Sequence, residues 1–391
     1  MTEIRVGVIG IGNMGKAHAK AIVNGEISGM RLTAVCDIIS EKLENFKAEY
    51  SNVATFTDYT ELLESGLCDA VVIAVPHKLH CLISEKAFLK GHHVLVEKPV
   101  DISVRVARRL NEVASSSGKV FGIMFNQRTN PLFKKAKEIV SSGKLGEIKR
   151  SVWICTNWYR TQSYYDSGDW RATWSGEGGG VLLNQAPHQL DLWQWICGMP
   201  TSVIAFCDVA KYHNIEVEDD VTIFTKYAGS ATGAFITTTG EYPGTNRLEI
   251  SGTLGKIVIE NGALKWWRLN ESEREVCFAS GKSSPSIEYS YEEIMQETPE
   301  TAHRGILQNF ANAVLHNEPL IAQGVDGINE LTISNAAYLS AWEGNKEITL
   351  PFDEEKFDKM LLEKASKSLL KNDTHTGDTN GEYKKRWSVK W

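Results

Sequence analysis

The sequence predicts an α/β protein of two domains. The first is an N-terminal doubly wound parallel sheet; the second is an α/β domain on a large open, mostly antiparallel sheet. Three observations carry this. Strand-like and helix-like segments alternate over about the first 125 residues, as a parallel sheet with crossover helices requires. The strands there are continuous apolar runs, the pattern of a sheet covered on both faces. The string Gly10-Ile11-Gly12-Asn13-Met14-Gly15 closes the first of these runs and opens a helix. At 391 residues the chain also exceeds what one hydrophobic core usually covers.

Taken in order, the strand Ile4–Ile9 leads through the glycines into a helix over residues 16–24. A second strand over 32–36 ends at Asp37. The run 70–75 stops at Pro76, a helix over 79–90 ends at Gly91, and the strand His93–Val96 follows. A helix over 103–116 and a strand over 120–124 complete the first domain, placed at residues 1–125. Beyond Asn126 a helix Pro131–Ser141 and a glycine turn lead into a strand over 148–158. Strands are then expected over 202–208, 220–227, 231–239, 247–251, 255–260 and 263–269, with short connections that suggest an antiparallel meander. Helices return over 302–316 and 327–343. The second domain is placed at 126–352. Residues 353–391 read as a C-terminal tail, with Arg386 to Trp391 as its anchor on a neighbouring domain or subunit.

The glycine string has the setting that a dinucleotide-binding turn requires, between a strand and a helix. Gly10 allows the tight turn, Gly12 lets backbone approach a pyrophosphate, and Gly15 lets the helix pack on the strand. The helix N-terminus then offers free N–H groups and partial positive charge to phosphates. The fingerprint calls for an acid about twenty residues on, and Asp37 stands there. A carboxylate at that point accepts hydrogen bonds from ribose hydroxyls and repels a 2′-phosphate. Ile38 and Ile39 follow it, so the expected cofactor is NAD and the first domain a Rossmann fold.

Composition narrows the rest. The net charge is −7 and no basic run could track a phosphate backbone, so no nucleic-acid partner is expected. The seven cysteines are dispersed without a Cys-x-x-Cys pair, which points to reduced thiols and a cytoplasmic protein. His77 with His80, and His92 with His93, lack companions at metal-ligand spacing, so no metal is expected. The apolar runs are strand-length, too short to span a membrane.

Two further motifs carry chemistry. Glu97-Lys98-Pro99 follows a parallel strand at its carboxyl end, where ligands of open parallel sheets bind. A lysine there hydrogen-bonds a substrate hydroxyl as hydride leaves, and a pKa lowered by desolvation suits it to proton relay. A solvated lysine paired with Glu97 is the competing reading. Pro99 fixes the turn and suits a cis bond. Further on, Gly178-Gly179-Gly180 precedes Asn184, His188 and Asp191, spaced i, i+4 and i+7 so that a helix would put them on one face. Pro187 fits a first helical turn, so the helix is expected from there. His188 is the natural general base, Asp191 either orients it or caps backbone, and the glycines let a substrate approach the main chain.

Together these motifs resemble the Gfo/Idh/MocA oxidoreductase family, whose members include glucose–fructose oxidoreductase and inositol dehydrogenase. The resemblance rests on the N-terminal glycines, Ala74-Val75-Pro76 with His80, Glu97-Lys98-Pro99, and the glycine triplet followed by His188. Asn309-Phe310 and the stretch from Pro319 to Gly327 extend it, so that it runs from residue 4 to about 352. It implies a site between the two domains with Lys98 and His188 as catalytic pair, and a second-domain sheet that packs on another subunit. A homo-oligomer is therefore expected. Cofactor contacts are expected at Gly10, Gly12, Asn13, Met14, Gly15, Asp37, Ala74, Pro76, His80, Glu97 and Lys98. Many members carry aspartate where this chain has Asn184, so His188 bears the base role alone or shares it with Lys98.

An aromatic cluster between Trp153 and Trp174 suits a sugar ring or an aromatic aglycone, although packing of a long loop would explain it equally well. Substrate contacts are expected at Asn184, Trp158, Tyr159, Arg160, Tyr164 and Arg171, with Asn126 and Arg128 at the domain junction as contacts or hinge residues. The expected activity is NAD-dependent oxidation of a ring hydroxyl of a sugar, polyol or glycoside to a ketone. Two alternatives stay open. One is an NAD-dependent glycosidase working by transient oxidation and elimination, with Tyr159, Tyr164 or Tyr165 as an extra base. The other is a non-catalytic NAD-binding sugar sensor, against which the presence of both Lys98 and His188 speaks.

Overall fold

A computed structural model describes residues 2–368. The described residues form two units: one gathers those up to Thr129 with Gly176–Gly178 and Glu300–Thr332, and the other holds Asn130–Ser175, Gly179–Pro299 and those over 333–368. The segment from Glu300 to Thr332 thus returns to the first unit, which a simple division at residue 125 does not capture.

The first unit runs β1 (Ile4–Ile9), α1 (Asn13–Val23), β2 (Met30–Cys36), α2 (Ser40–Glu49), β3 (Ala54–Phe56), α3 (Tyr59–Glu64), β4 (Ala70–Ile73), α4 (His80–Leu89), β5 (His93–Val96), α5 (Val104–Ser117) and β6 (Phe121–Ile123). Its strands are all parallel, in the order β3-β2-β1-β4-β5-β6. This is the doubly wound order of dinucleotide-binding sheets, reversing between β1 and β4. The apolar runs in β1, β4 and β5 are buried along nearly their whole length, as helices on both faces demand. Ile9, Ile73 and Val96 are level across three neighbouring strands. The glycine turn, Ala74-Val75-Pro76 and Glu97-Lys98-Pro99 therefore leave the sheet along one edge.

α1 begins at Asn13, three residues before the helix expected from the sequence. The carbonyl of Gly12 already accepts from Lys16 N–H at 2.9 Å, so the helix starts inside the glycine turn. α5 buries Val104, Ala107, Leu110 and Ala114 along one face and ends at Gly118, whose φ of 65° is left-handed.

The second unit opens with α6 (Pro131–Ser141), capped by the Asn130 side chain accepting from Leu132 N–H, with Pro131 in its first turn. Then come β7 (Ile148–Cys155), α7 (Gln162–Asp166), α8 (Val181–Asn184), α9 (Pro187–Cys197), β8 (Ser202–Val209), β9 (Glu218–Lys226), β10 (Thr232–Thr238), β11 (Asn246–Gly252), β12 (Gly255–Glu260), β13 (Ala263–Leu269), α10 (Glu273–Ala279) and β14 (Tyr289–Met295). The chain continues through α11 (Ala302–His316), α12 (Gly327–Trp342), β15 (Ile348–Thr349) and α13 (Glu354–Ser366). The nine strands are ordered β14-β13-β12-β11-β7-β10-β9-β8-β15. All pairs are antiparallel except β7 with β10. β7 lies between β10 and β11, so the expected meander is interrupted at its centre.

α6 and α9 pack together and cover one face of this sheet. Trp153, Trp193, Phe133 and Phe235 fill the layer, with ring centroids 5.6–6.3 Å apart. Each such ring contributes about 1.5–3 kcal/mol through burial. The other face carries Ile204, Phe206 and Phe224, the two phenylalanines about half exposed.

α13 occupies residues 354–366 of the stretch read as a tail. Asp353 caps it by accepting from Lys356 N–H, and Phe357 stacks on Trp342 with centroids 5.5 Å apart. Residues 369–391, including the anchor expected at 386–391, lie outside the described residues. No helix among the described residues is long and apolar enough to cross a membrane.

Candidate functional site

In the first unit the glycines fit a dinucleotide for separate reasons. Gly10 has φ +86°, and a Cβ there would come within 2.5 Å of the Ala74 carbonyl oxygen. A Cβ at Gly15 would overlap the carbonyl oxygen of Gly10. At Gly12 nothing lies within 4 Å, so that side of the turn is open to a ligand approaching the backbone. Gly12 brings no side chain to cap α1, which leaves the amides of Asn13, Met14 and Gly15 for a phosphate.

Asp37 is buried against this turn. Its Oδ2 accepts from Ile11 N–H at 3.0 Å, and its Oδ1 from Ile39 N–H at 3.0 Å. The Lys42 Nζ lies 3.3 Å from Oδ2, a cation that sequence reasoning did not anticipate beside the acid. Replacing Asp37 with serine removes the carboxylate and leaves Lys42, so the ratio of NADP⁺ to NAD⁺ affinity should rise by about tenfold or more. Titrating both cofactors by fluorescence quenching checks it; an unchanged ratio contradicts the ribose assignment.

The turn Glu97-Lys98-Pro99, with its cis Lys98–Pro99 bond, is held on both sides by histidines. Glu97 Oε1 pairs with His18 Nε2 of α1 at 2.7 Å, and Oε2 accepts from Lys98 N–H at 3.2 Å. Burial alone would raise the Glu97 carboxyl, but the His18 hydrogen bond and nearby charge, Lys98 included, outweigh it and hold it at about 2. His303 of α11 packs with its ring 5.6 Å from His18, and burial pushes it down to about 3, so it is neutral. On the far side, His80 places its ring nitrogens 2.7 Å from the carbonyl oxygens of Pro99 and Val75.

Glu97 and His80 are buried with their polar atoms on the protein itself, so they shape the turn from behind. Arg128 is expected from the sequence as a substrate contact or a hinge residue. It is buried, donates to Asp326 Oδ2 at 2.7 Å and stacks on Phe125, and so braces its own unit. Asn126 is fully buried at the carboxyl end of β6. Neither of its amide atoms has a hydrogen-bond partner among the described residues.

In the second unit, Gly179 and Gly180 serve close packing by the protein itself. A Cβ at Gly179 would overlap the Tyr338 hydroxyl, and one at Gly180 the backbone oxygen of Glu218. The buried Glu218 carboxylate accepts from Gly180 N–H at 2.9 Å, Leu182 N–H at 3.0 Å and the Tyr338 hydroxyl at 2.7 Å. Burial still wins over these donors and raises the carboxyl to about 7. An acid with a raised folded pKa loses stability as pH climbs from its unfolded value, near 4.5, through 7. The loss is on the order of 3 kcal/mol. Glu218→Gln should therefore flatten the dependence of thermal midpoint on pH between 5 and 8, as calorimetry would read. An equally steep dependence in the variant contradicts the assignment.

His188 sits in the first turn of α9, directly after Pro187, and is 7% exposed. Asn184 ends the separate helix α8, so the face expected to join Asn184, His188 and Asp191 is not one continuous helix. Asp191 accepts from Gln194 at 3.0 Å. The aromatic cluster divides. Trp153, Tyr165 and Trp174 are buried, and Trp174 packs on Tyr338 and Trp342. Trp158 donates to Cys155 Sγ at 3.1 Å, and Tyr159 is nearly half exposed. The Tyr164 hydroxyl gathers Arg171 Nη1 at 3.0 Å and the amides of Asn184 and Gln185 at 3.2 Å each. The guanidinium carbons of Arg160 and Arg171 stand 5.1 and 4.8 Å from the centre of the Tyr164 ring.

Sequence reasoning thus anticipated Arg160, Tyr164, Arg171 and Asn184, which come together, but not His18 or Glu218. The available signal for Glu218 was the run Glu218-Asp219-Asp220, three acids that open β9. Among the described residues, no group of three or more His, Cys, Asp or Glu could hold a metal ion.

Comparison with known proteins agrees with this geometry. Residues 4–125 match the model described as an oxidoreductase family with an NAD-binding Rossmann fold, and residues 133–258 match the GFO/IDH/MocA C-terminal domain. The chain is 26% identical over 345 residues to a scyllo-inositol 2-dehydrogenase (NAD(+)) of Bacillus subtilis, spanning 86% of this chain and 93% of that one. It is 24% identical to an inositol 2-dehydrogenase of Rhizobium meliloti, over 87% and 97% of the two chains. The solved WlbA dehydrogenase of Bordetella pertussis, in complex with NADH and UDP-GlcNAcA, superposes with a TM-score of 0.74 and 26% identity, covering 90% of this chain and all of that one.

Proposed function

The chain belongs to the Gfo/Idh/MocA oxidoreductase family and binds NAD, and we propose that it oxidises a ring hydroxyl of a sugar, polyol or glycoside to a ketone. The observation that carries this is Lys98, held by His18 through Glu97 and by His80 through Pro99 at the sheet edge that also bears the glycine turn. Its relatives point the same way: two are named for inositols, and one was solved with a nucleotide-linked sugar acid.

Gly10, Gly12, Asn13, Met14 and Gly15 would hold the pyrophosphate, Asp37 the adenosine ribose, and Ala74 and Pro76 the wall beside them. Bound NAD⁺ supplies the hydride acceptor. Lys98 donates a hydrogen bond to the reacting oxygen and keeps it oriented, while His188 takes the proton from that hydroxyl. Asn184 cannot accept a proton; it holds a neighbouring hydroxyl, with Tyr164, Arg160, Arg171, Trp158 and Tyr159 lining the ring.

The test is turnover. Purified protein with NAD⁺ and a panel of inositols, sugars, glycosides and sugar acids should give NADH and a product two hydrogens lighter. The reading extends to assembly in the cytoplasm, with the open sheet face around Phe206 and Phe224 covered by a second copy. Light scattering should return a dimer or larger, and a monomeric mass contradicts it.

A further inference from the structure

The segment over residues 210–217, between β8 and β9, runs beside the aromatic loop of the second unit, and three contacts tie them together. His213 Nε2 lies 2.9 Å from the Arg160 carbonyl oxygen. Asn214 exchanges two hydrogen bonds with Gln162: its N–H donates to Oε1 at 2.8 Å, and its carbonyl accepts from Nε2 at 3.2 Å. Glu216 N–H donates to the Ala172 carbonyl at 3.2 Å, so the segment reaches both ends of the loop. One carboxylate organises it. Asp219, fully buried in β9, accepts from Lys211 N–H at 3.0 Å and Tyr212 N–H at 2.9 Å, and its Oδ2 lies 2.8 Å from His213 Nδ1.

His213 therefore meets an acceptor at each ring nitrogen. The Asp219 carboxylate and the Arg160 carbonyl thus hold the ring from its two nitrogens. Three neighbouring side chains are engaged elsewhere. Tyr165 packs edge-on to the ring at 4.8 Å and bonds Thr239. Lys211 reaches Asp208 at 2.8 Å and Asp220 at 3.2 Å. The Arg160 guanidinium donates to the Tyr159 carbonyl and stacks over Tyr164. Arg160 is thus held by its backbone at His213 and by its side chain at Tyr164, whose hydroxyl gathers Arg171, Asn184 and Gln185.

We propose that His213 and Asp219 are positioning residues for substrate recognition, holding the aromatic loop over residues 158–172 in the arrangement that receives a polyhydroxylated ring. This rests on the reading that the loop carries the substrate contacts.

His213→Phe keeps the ring volume beside Tyr165 and removes both hydrogen bonds. Gln162→Ala removes the Asn214 pair at a more exposed position, and stands in should the first variant not fold. Two readouts apply: amide hydrogen exchange by mass spectrometry, and KM, kcat and the NAD⁺ dissociation constant with the panel compound that the unaltered protein oxidises. Exchange over 158–172 should quicken by about tenfold while α9 keeps its protection. KM should rise about tenfold, with kcat within about threefold and NAD⁺ affinity unchanged. Unchanged exchange overturns the proposed hold on the loop. Faster exchange with unchanged KM overturns its role in recognition. Both results leave the dehydrogenase reading standing; that reading fails separately, if the unaltered protein oxidises nothing in the panel.

Discussion

Replacing Lys98 with methionine is expected to lower kcat by about 10³-fold, within the range of lost acid–base and hydrogen-bond catalysis, while NAD⁺ affinity stays within about threefold. The two side chains have similar length, and methionine lacks the ammonium. The backbone around position 98 should not move, because it is fixed through neighbours: Glu97 by His18, and the Pro99 carbonyl by His80. The variant therefore separates chemistry from folding. Stopped-flow measurement of NADH formation beside a direct NAD⁺ titration reads both quantities. Turnover persisting near the original rate would mean that Lys98 is only a surface charge beside Glu97.

His188→Ala should lower kcat and kcat/KM together by about 10²–10⁴-fold, the usual worth of a positioned general base. His188 lies one residue inside α9 and is nearly buried, so removing its ring opens a small cavity in a well-packed helix. Loss of activity could then reflect local collapse. Two further readouts distinguish the causes. Added imidazole should restore part of the rate by taking the proton in place of the missing ring, and the residual rate should climb with pH as hydroxide takes that part. A variant that imidazole does not rescue, with an unaltered pH profile, would assign His188 to packing.

Much of the first unit was legible because its signals are local. The glycine string, Asp37 and the continuous apolar strands each follow from a few adjacent residues, and the sheet order supplies the rest. The second unit was less so. β14 is almost wholly exposed, with no alternation to mark it, and only its pairing with β13 makes it a strand. β7 enters the centre of the sheet through a parallel pairing with β10, a contact between residues some eighty positions apart that no periodicity encodes. α13 was hidden because it is largely charged and buries only Phe357 and Leu361, while Leu362 is exposed.

The candidate site shows the same division. Lys98, His188 and Asn184 were singled out from motifs, and Tyr164, Arg160 and Arg171 from composition. What motifs could not give was which polar residues the protein keeps for itself. Glu97, His80 and Arg128 have the right chemistry for ligands, yet each is buried with its polar atoms on its own unit. The glycine triplet was read as room for a substrate, whereas Gly179 and Gly180 make room for Tyr338 and Glu218. The partners that decide these cases lie far away in sequence, as His18 does from Glu97.

The central claim is net oxidation of a ring hydroxyl with NAD⁺ as acceptor. Purified protein should be mixed with NAD⁺ and the panel, reduced nicotinamide followed by absorbance, and every compound followed by mass spectrometry. The expected result is NADH formed mole for mole with a product two hydrogens lighter, for at least one inositol, sugar, glycoside or sugar acid. Release of an aglycone without net NADH would contradict it and make the protein a glycosidase that closes its redox cycle. Tight NAD⁺ binding with no change in any compound would also contradict it, and would leave a sensor in place of an enzyme.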